Sequence, residues 1–208
     1  MTMRERIAEG KLFTDDCEGL PDDRLNAKLR MTKYNQSSPA DSEGRKKLLE
    51  EIFGREVKAW IEPPFYFCYG RNIELGDMTY INCNCSFIDD GKILIGKNVM
   101  FGPGCTIATV GHPVNPGYRY LMYTDPVVIK DNCWIGSGVN ICPGVTIGEN
   151  CVIGAGSVVT KDIPADSVAV GNPCHVLRKI NEHDMTCYYK DKLITQTDLE
   201  EEKSLSSC

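Results

Sequence analysis

The sequence predicts a mainly β fold: a parallel β-helix with an N-terminal helical cap and one extruded loop. Three observations predict it. Ile129, Ile135, Ile141, Ile147, Ile153 and Val159 recur every six residues without a break. Four residues after the first five of them come small or β-branched side chains: Cys133, Val139, Val145, Cys151 and Ser157. Residues 1–60 show no such period and read instead as short helices.

Neither regular element alone explains a period of six. A plain strand alternates and stops after about five or six residues, and a helix drifts out of register at 3.6 residues per turn. A repeat this short means one unit stacked on copies of itself. The unit is a triangular coil of three short strands, with the aliphatic pointing inward and the small residue near a corner. Gly136, Gly148 and Gly154, one residue after an aliphatic, relax the backbone there. One coil takes eighteen residues and sits about 4.8 Å above the last. Ile129 therefore stacks on Ile147, Ile135 on Ile153, and Ile141 on Val159. Stacking is obligatory, because ordering costs ~1–2 kcal/mol per residue and burying one Ile returns only ~1.5–3 kcal/mol.

Taken in order, residues 1–60 form the helical cap, with helices expected over 5–11, 21–35 and 41–53. Pro21 suits a first helical turn, and Gly54 stops the third helix. The coil is expected over 61–174. Its hexads begin at Leu75, Ile81 and Phe87, with Thr79 and Cys85 in small-residue slots. Two extra residues around Gly91 reset the phase to Ile95, Phe101 and Ile107, with Val99 and Cys105. The count fails over 108–126, which predicts a loop without regular structure pushed out from one corner; such loops tend to carry function. Residues 175–208 are expected to hold a short helix near 180–189 and a polar tail, disordered from about Thr195.

The net charge of −6 argues against nucleic acid as the main partner. No apolar run approaches the roughly eighteen residues of a membrane span, and the charged start resembles no signal peptide. Eleven cysteines are an odd number, and Cys105, Cys133 and Cys151 fill small-residue slots. Most of the cysteines read as reduced, small, buried residues of a cytoplasmic protein.

Three histidines are present: His112, His175 and His183. His112 lies in the extruded loop between Gly111 and Pro113, and a neutral imidazole suits proton abstraction from an alcohol near neutral pH. Its position alone equally fits a solvated loop histidine. Tyr80 and Asn82 are polar groups displayed outward from an earlier coil, and Met122 and Trp134 fit ordinary packing. Cys83 and Cys85 are too few for a metal site, and Cys85 points inward. A cysteine nucleophile would need an adjacent base, and none lies beside His112 in sequence.

Larger motifs narrow the reading. They are Gly10-Lys11-Leu12-Phe13-Thr14-Asp15, Cys17-Glu18-Gly19-Leu20-Pro21, Glu62-Pro63-Pro64, Tyr69-Gly70, Thr109-Val110-Gly111-His112-Pro113-Val114, Trp134-Ile135-Gly136-Ser137, and the run from Ile153 to Asp162. Spread over nearly the whole chain, they resemble the galactoside and maltose O-acetyltransferases of the left-handed hexapeptide-repeat family. The resemblance implies a left-handed coil and acetyl transfer from acetyl-CoA to a sugar hydroxyl, without a covalent enzyme intermediate or a metal. It implies His112 as general base and Asn82 as the group orienting the acceptor or supporting the transition state. Asp15, Arg24, Cys68, Tyr80, Asp90 and Met122 match acceptor-pocket positions. Trp134, Ser137 and Ala155 match positions along the pantetheine arm and thioester, and Thr160, Lys161 and Arg178 match positions at the nucleotide phosphates. A homotrimer with sites between neighbouring coils is also implied.

Three departures stand out. His175 replaces a residue often basic in relatives. Cys68 stands where galactoside enzymes carry serine and maltose enzymes aspartate. The loop after His112 is about two residues shorter than in the galactoside enzymes. The expected acceptor is a pyranoside with a free 6-hydroxyl, galactosides ahead of maltose. The alternatives are glucosides, an oligosaccharide or an antibiotic acceptor. A zinc carbonic anhydrase on this coil would need three ligating histidines, and only His112 lies in the solenoid region. A non-catalytic assembly solenoid would need no His loop.

Overall fold

Inward aliphatics at every sixth position dictate a stack of triangles. The computed structural model, which describes residues 1–205, is a left-handed parallel solenoid of about six turns. Its first face carries parallel strands Trp60–Ile61, Tyr80–Ile81, Met100–Phe101, Trp134–Ile135, Val152–Ile153 and Ser167–Val170. The second carries Phe65–Phe67, Cys85–Ile88, Thr106–Ala108, Asn140–Ile141 and Val158–Val159, and the third Ile73–Leu75, Ile93–Ile95, Val127–Ile129 and Thr146–Ile147. The first corner joins faces one and two, the second corner joins faces two and three, and the third corner leads up to the next turn.

The register follows the hexads. Ile129 pairs with Ile147, Ile135 with Ile153, and Ile141 with Val159. All six are at most 2% exposed. Lower in the stack, Phe87 meets Phe65 edge-on at 5.1 Å between ring centres and Phe101 at 5.4 Å. Leu75 keeps the expected phase, in register with Ile95 and packed on the core, but is less enclosed than the later hexad residues. It stays half-buried while Ile73 is fully enclosed, because its strand ends the third face and has no neighbour below.

Three helices close the lower end: α1 (Met3–Ala8), α2 (Leu20–Asn35) and α3 (Ser42–Phe53). Helix α1 lies ahead of the expected 5–11 because Thr2 and Glu5 form a reciprocal capping box. The cap is fixed to the first turn by Tyr34, whose hydroxyl donates to the Ile61 carbonyl at 2.6 Å. Asn35 adds two bonds to the Phe65 backbone, at 3.0 and 2.9 Å.

The extruded segment holds regular structure in place of the irregular loop expected. Face two continues through Ala108, and Thr109 is buried, donating to the Ile88 carbonyl at 2.7 Å and accepting from the Gly91 amide at 2.8 Å. Beyond it, Val110–Gly111 and Tyr123–Thr124 pair as an antiparallel hairpin. Gly111 is required there, since a Cβ would lie 2.6 Å from the Tyr123 ring.

The C-terminal boundary also shifts. The coil does not end at 174, because His175–Lys179 folds back antiparallel to Ser167–Val170 and covers the end of the first face. A helix over Glu182–Thr186 and a hairpin of Cys187–Tyr189 with Lys192–Leu193 follow. In place of the expected disorder, Gln196–Leu205 is helical. Its start is stabilised by Thr195 and Asp198, which bond reciprocally to each other's backbone amides at 2.8 and 3.2 Å. The rest of that expected tail, residues 206–208, lies outside the described residues.

Candidate functional site

The second corner is built on a buried carboxylate. Asp89 is fully enclosed and accepts from the backbone amides of Cys68 and Tyr69 at 2.9 and 2.8 Å, with Asn72 at 3.4 Å. These bonds fix the 68–72 turn. Burial nevertheless pushes the Asp89 carboxyl upward from its ordinary pKa. Sequence reasoning missed Asp89, although strand alternation marks it: Phe87 and Asp89 are two residues apart and share the inner face.

Asp90 is 7% exposed and lies beside the Cys68 thiol. Burial raises the Asp90 pKa, opposed by the Arg24 charge. The Cys68 thiol is pushed up to about 12, first by burial and then by Asp90 and Asp89. It is therefore a neutral thiol near pH 7 rather than a thiolate nucleophile. Arg24, on α2, forms an ion pair with Asp15 and donates to the Asp15 carbonyl at 3.1 Å. Its guanidinium lies 5.9 Å from the centre of the Tyr69 ring. Four expected acceptor residues, Asp15, Arg24, Cys68 and Asp90, thus form one charged cluster, joined by the unanticipated Tyr69. Adjoining cavities measure about 240 Å³ against Asp90 and Tyr69, and about 350 Å³ beside Asp15 and Arg24.

His112 stands on the hairpin that springs from this corner. Its Nδ1 lies 2.8 Å from the Arg119 carbonyl and 3.0 Å from the Leu121 carbonyl. Carbonyls only accept, so Nδ1 carries the proton and Nε2 keeps its lone pair on an exposed ring. The hairpin is tied to the N-terminal segment: Phe13 and Met122 exchange two backbone bonds, each 2.9 Å. The Thr124 hydroxyl donates to the Ile7 carbonyl at 2.8 Å. Met122 is thereby joined to the segment that carries Asp15.

The first corner is a different surface. Asn82 accepts from the Cys83 amide through Oδ1 at 2.8 Å, and its carboxamide N–H groups have no partner among the described residues. Above it the turns are joined by Gly104 to Cys83, Gly138 to Pro103 and Gly156 to Ser137, at 3.0, 2.9 and 2.9 Å. Ser137 and Ala155 belong to this column. Gly104, Gly138 and Gly156 have φ of +73°, +68° and +71°, and a Cβ at any of them would meet nothing. The third corner needs the same conformation but uses Asn98, Asn132, Asn150 and Asp166. Their side chains form a bonded ladder with spacings of 3.1, 3.1 and 2.7 Å. Asn is therefore sufficient for this backbone, and the glycines leave the first corner bare above Asn82.

Tyr80 and Trp134 project outward from the first face, in register with Trp60 and Met100. Trp134 is 54% exposed. Thr160 and Lys161 are exposed at the second corner, higher in the stack. Arg178 and His175 lie on the returning strand at the first face, with the Arg178 fork engaged by Asp184 at 2.5 and 2.7 Å. The expected site residues consequently fall into two sets, separated by a face of the triangle. Asp15, Arg24, Cys68, Asp90, His112, Met122, Thr160 and Lys161 belong to the second corner, and Tyr80, Asn82, Trp134, Ser137, Ala155 and Arg178 to the first corner and face.

Among the described residues, no group of three or more His, Cys, Asp or Glu side chains could hold a metal ion. The family model "Bacterial transferase hexapeptide (six repeats)" matches residues 126–161, and "Maltose acetyltransferase hexapeptide capping motif" matches residues 6–56. The galactoside O-acetyltransferase of Escherichia coli K12 is 51% identical over 194 residues, covering 92% of this chain and 96% of that protein. A solved galactoside acetyltransferase in complex with coenzyme A superposes with a TM-score of 0.89 at 48% identity, covering 94% of this chain and all of that one. A maltose O-acetyltransferase from Clostridium difficile 630 follows at 0.85 and 43%, covering 88% and 99%. The helical preface, the hexads and the His hairpin are thus matched together rather than piecemeal, and the chain belongs to the hexapeptide-repeat acetyltransferases, among the galactoside and maltose O-acetyltransferases.

Proposed function

We propose that this chain, an acetyl-CoA-dependent sugar O-acetyltransferase, acetylates the 6-hydroxyl of a galactoside or related pyranoside directly, with His112 as general base. The observation that carries this reading is the pair of carbonyls on Nδ1, which leaves Nε2 as a proton acceptor of fixed orientation. Nε2 takes the proton of the acceptor hydroxyl as its oxygen bonds to the acetyl carbon. His112 then returns that proton to the departing thiolate, so charge and atoms balance. The carboxamide N–H groups of Asn82 orient the acceptor or stabilise the oxyanion that develops. Asp15, Arg24 and Asp90 hold ring hydroxyls, with Tyr80 and Met122 beside them. Cys68, a neutral thiol and a weak hydrogen-bond partner, favours a broader acceptor choice that extends to glucosides such as maltose.

Acetyl-CoA is the donor. Trp134 packs beside its arm, Ser137 and the amides near Ala155 hold the thioester end, and Thr160, Lys161 and Arg178 meet the phosphates. The separation of the two residue sets supports a homotrimer in which the second corner of one chain faces the first corner of the next. The setting is cytoplasmic; no helix among the described residues is long and apolar enough to cross a membrane.

The test follows thiol release from acetyl-CoA with a galactoside and its 6-deoxy analogue. The galactoside reacts and the analogue does not. His112→Ala loses roughly 10²–10⁴-fold in rate while still binding acetyl-CoA. Equal acetylation of both sugars refutes the 6-hydroxyl assignment, and near-normal turnover by His112→Ala removes it as the base.

A further inference from the structure

A cavity of about 480 Å³ between α2 and the 68–72 turn takes no part in the chemistry above. Three guanidinium groups line it, from Arg4, Arg30 and Arg71, against a single carboxylate, Asp23. Asp23 is engaged by Arg4 at 2.5 Å. Arg30 and Arg71 have no ion-pair partner among the described residues, so the pocket is strongly positive in a chain whose net charge is −6. The Arg30 Nε is enclosed without a hydrogen-bond partner, a costly arrangement for a charged donor. Asn26 and Asn72 supply carboxamides to the same wall. The Asn72 amide nitrogen is already used on the Asp89 carbonyl at 2.7 Å, which leaves the Asn26 nitrogen as a further donor. Donors therefore far outnumber acceptors.

We propose that this pocket binds a tetrahedral oxyanion, a phosphate or sulfate group, held chiefly by Arg30 and Arg71. The planar fork of arginine matches such oxygens two at a time, and a bound oxyanion supplies the partner that Arg30 Nε lacks. The cavity is larger than a bare oxyanion needs. It also borders the acceptor cluster through Tyr69, whose hydroxyl is enclosed beside Arg24 without a well-aligned partner. The oxyanion thus has two sources: a free inorganic ion, or an anionic substituent on the acceptor itself. Binding does not depend on acetyl transfer, so this site and the proposed reaction stand or fall separately.

The experiment titrates inorganic phosphate, then sulfate, into the full-length protein by calorimetry, alongside Arg30→Gln and Arg71→Gln. Binding at one site per chain is expected, weakened about tenfold or more in either variant. Arg71 is exposed, so Arg71→Gln keeps the test valid if Arg30→Gln folds poorly. Acetylation of a phosphorylated pyranoside bearing a free 6-hydroxyl is then compared with that of its neutral parent. A preference for the charged sugar that Arg71→Gln abolishes identifies an acceptor substituent, whereas phosphate binding without that preference identifies a free ion. Absence of phosphate and sulfate binding, or binding unchanged in both variants, overturns the proposal.

Discussion

His112 and Asn82 occupy different corners of the triangle, and this has a quantitative consequence. If a site joins the second corner of one chain to the first corner of the next, two inactive variants restore each other. His112→Ala and Asn82→Ala each lose roughly 10²–10⁴-fold as homotrimers. When the two are co-expressed in equal amounts and assemble at random, a site recovers where an intact His112 meets an intact Asn82 across an interface. Every cyclic trimer that contains both variants has one such interface in three, so purified mixed trimers recover about one third of wild-type activity. Neither substitution touches the inward hexads, so assembly is retained. The assay is thiol release by purified mixed trimers, carried on two affinity tags to exclude homotrimers. Activity no higher than that of the separate variants means that one chain supplies both groups, and the shared-site reasoning is then wrong.

Two further outcomes follow from the corners. Gly138→Asn keeps the backbone that Asn132 and Asn150 already adopt, so it should cost less than about 1 kcal/mol of stability. It should nevertheless weaken acetyl-CoA binding measurably by calorimetry; unchanged affinity would show that the bare column serves no ligand. Burial lifts the Cys68 thiol to about 12, so between about pH 9 and 12 the unfolded chain releases a proton that the folded chain retains. Stability therefore falls as pH rises through that window, by at most about 1.4 kcal/mol per unit for this group. Tyr34 and Tyr69, also raised to about 12 by burial, act in the same direction. Urea midpoints should drop between about pH 9 and 10.5, and less steeply in Cys68→Ser; equal slopes would contradict the assignment.

The hexads from Ile129 to Val159 were legible because each inward residue meets its own equivalent one turn away, so a local count fixes a distant neighbour. Motifs such as Gly111-His112-Pro113 name candidate site residues, but the hexad count alone does not say that they divide between two corners. The hairpin was missed because its strands are only two residues each, too short for an alternation to be read. The returning strand His175–Lys179 was missed because all five of its residues are exposed. Asp89 stands in a polar Asp-Asp-Gly run, and its role lies in backbone amides that a sequence does not display. The Asn ladder was likewise hidden, because each asparagine alone reads as a turn residue.

The first corner can also be viewed as a ruler. Asn82, Gly102, Gly136 and Gly154 sit in register on successive turns, so three steps of about 4.8 Å place graduations over about 14 Å. A helix surface of similar length would present donors that rotate away from any straight ligand. Here each turn returns the same backbone groups to the same line, parallel to the axis. A long, thin substrate can therefore be measured against the protein by counting turns, and lengthening or shortening the stack by one turn would shift its two ends relative to one another by a fixed increment. Reach in this molecule is a whole-number quantity set by how many times the chain goes around.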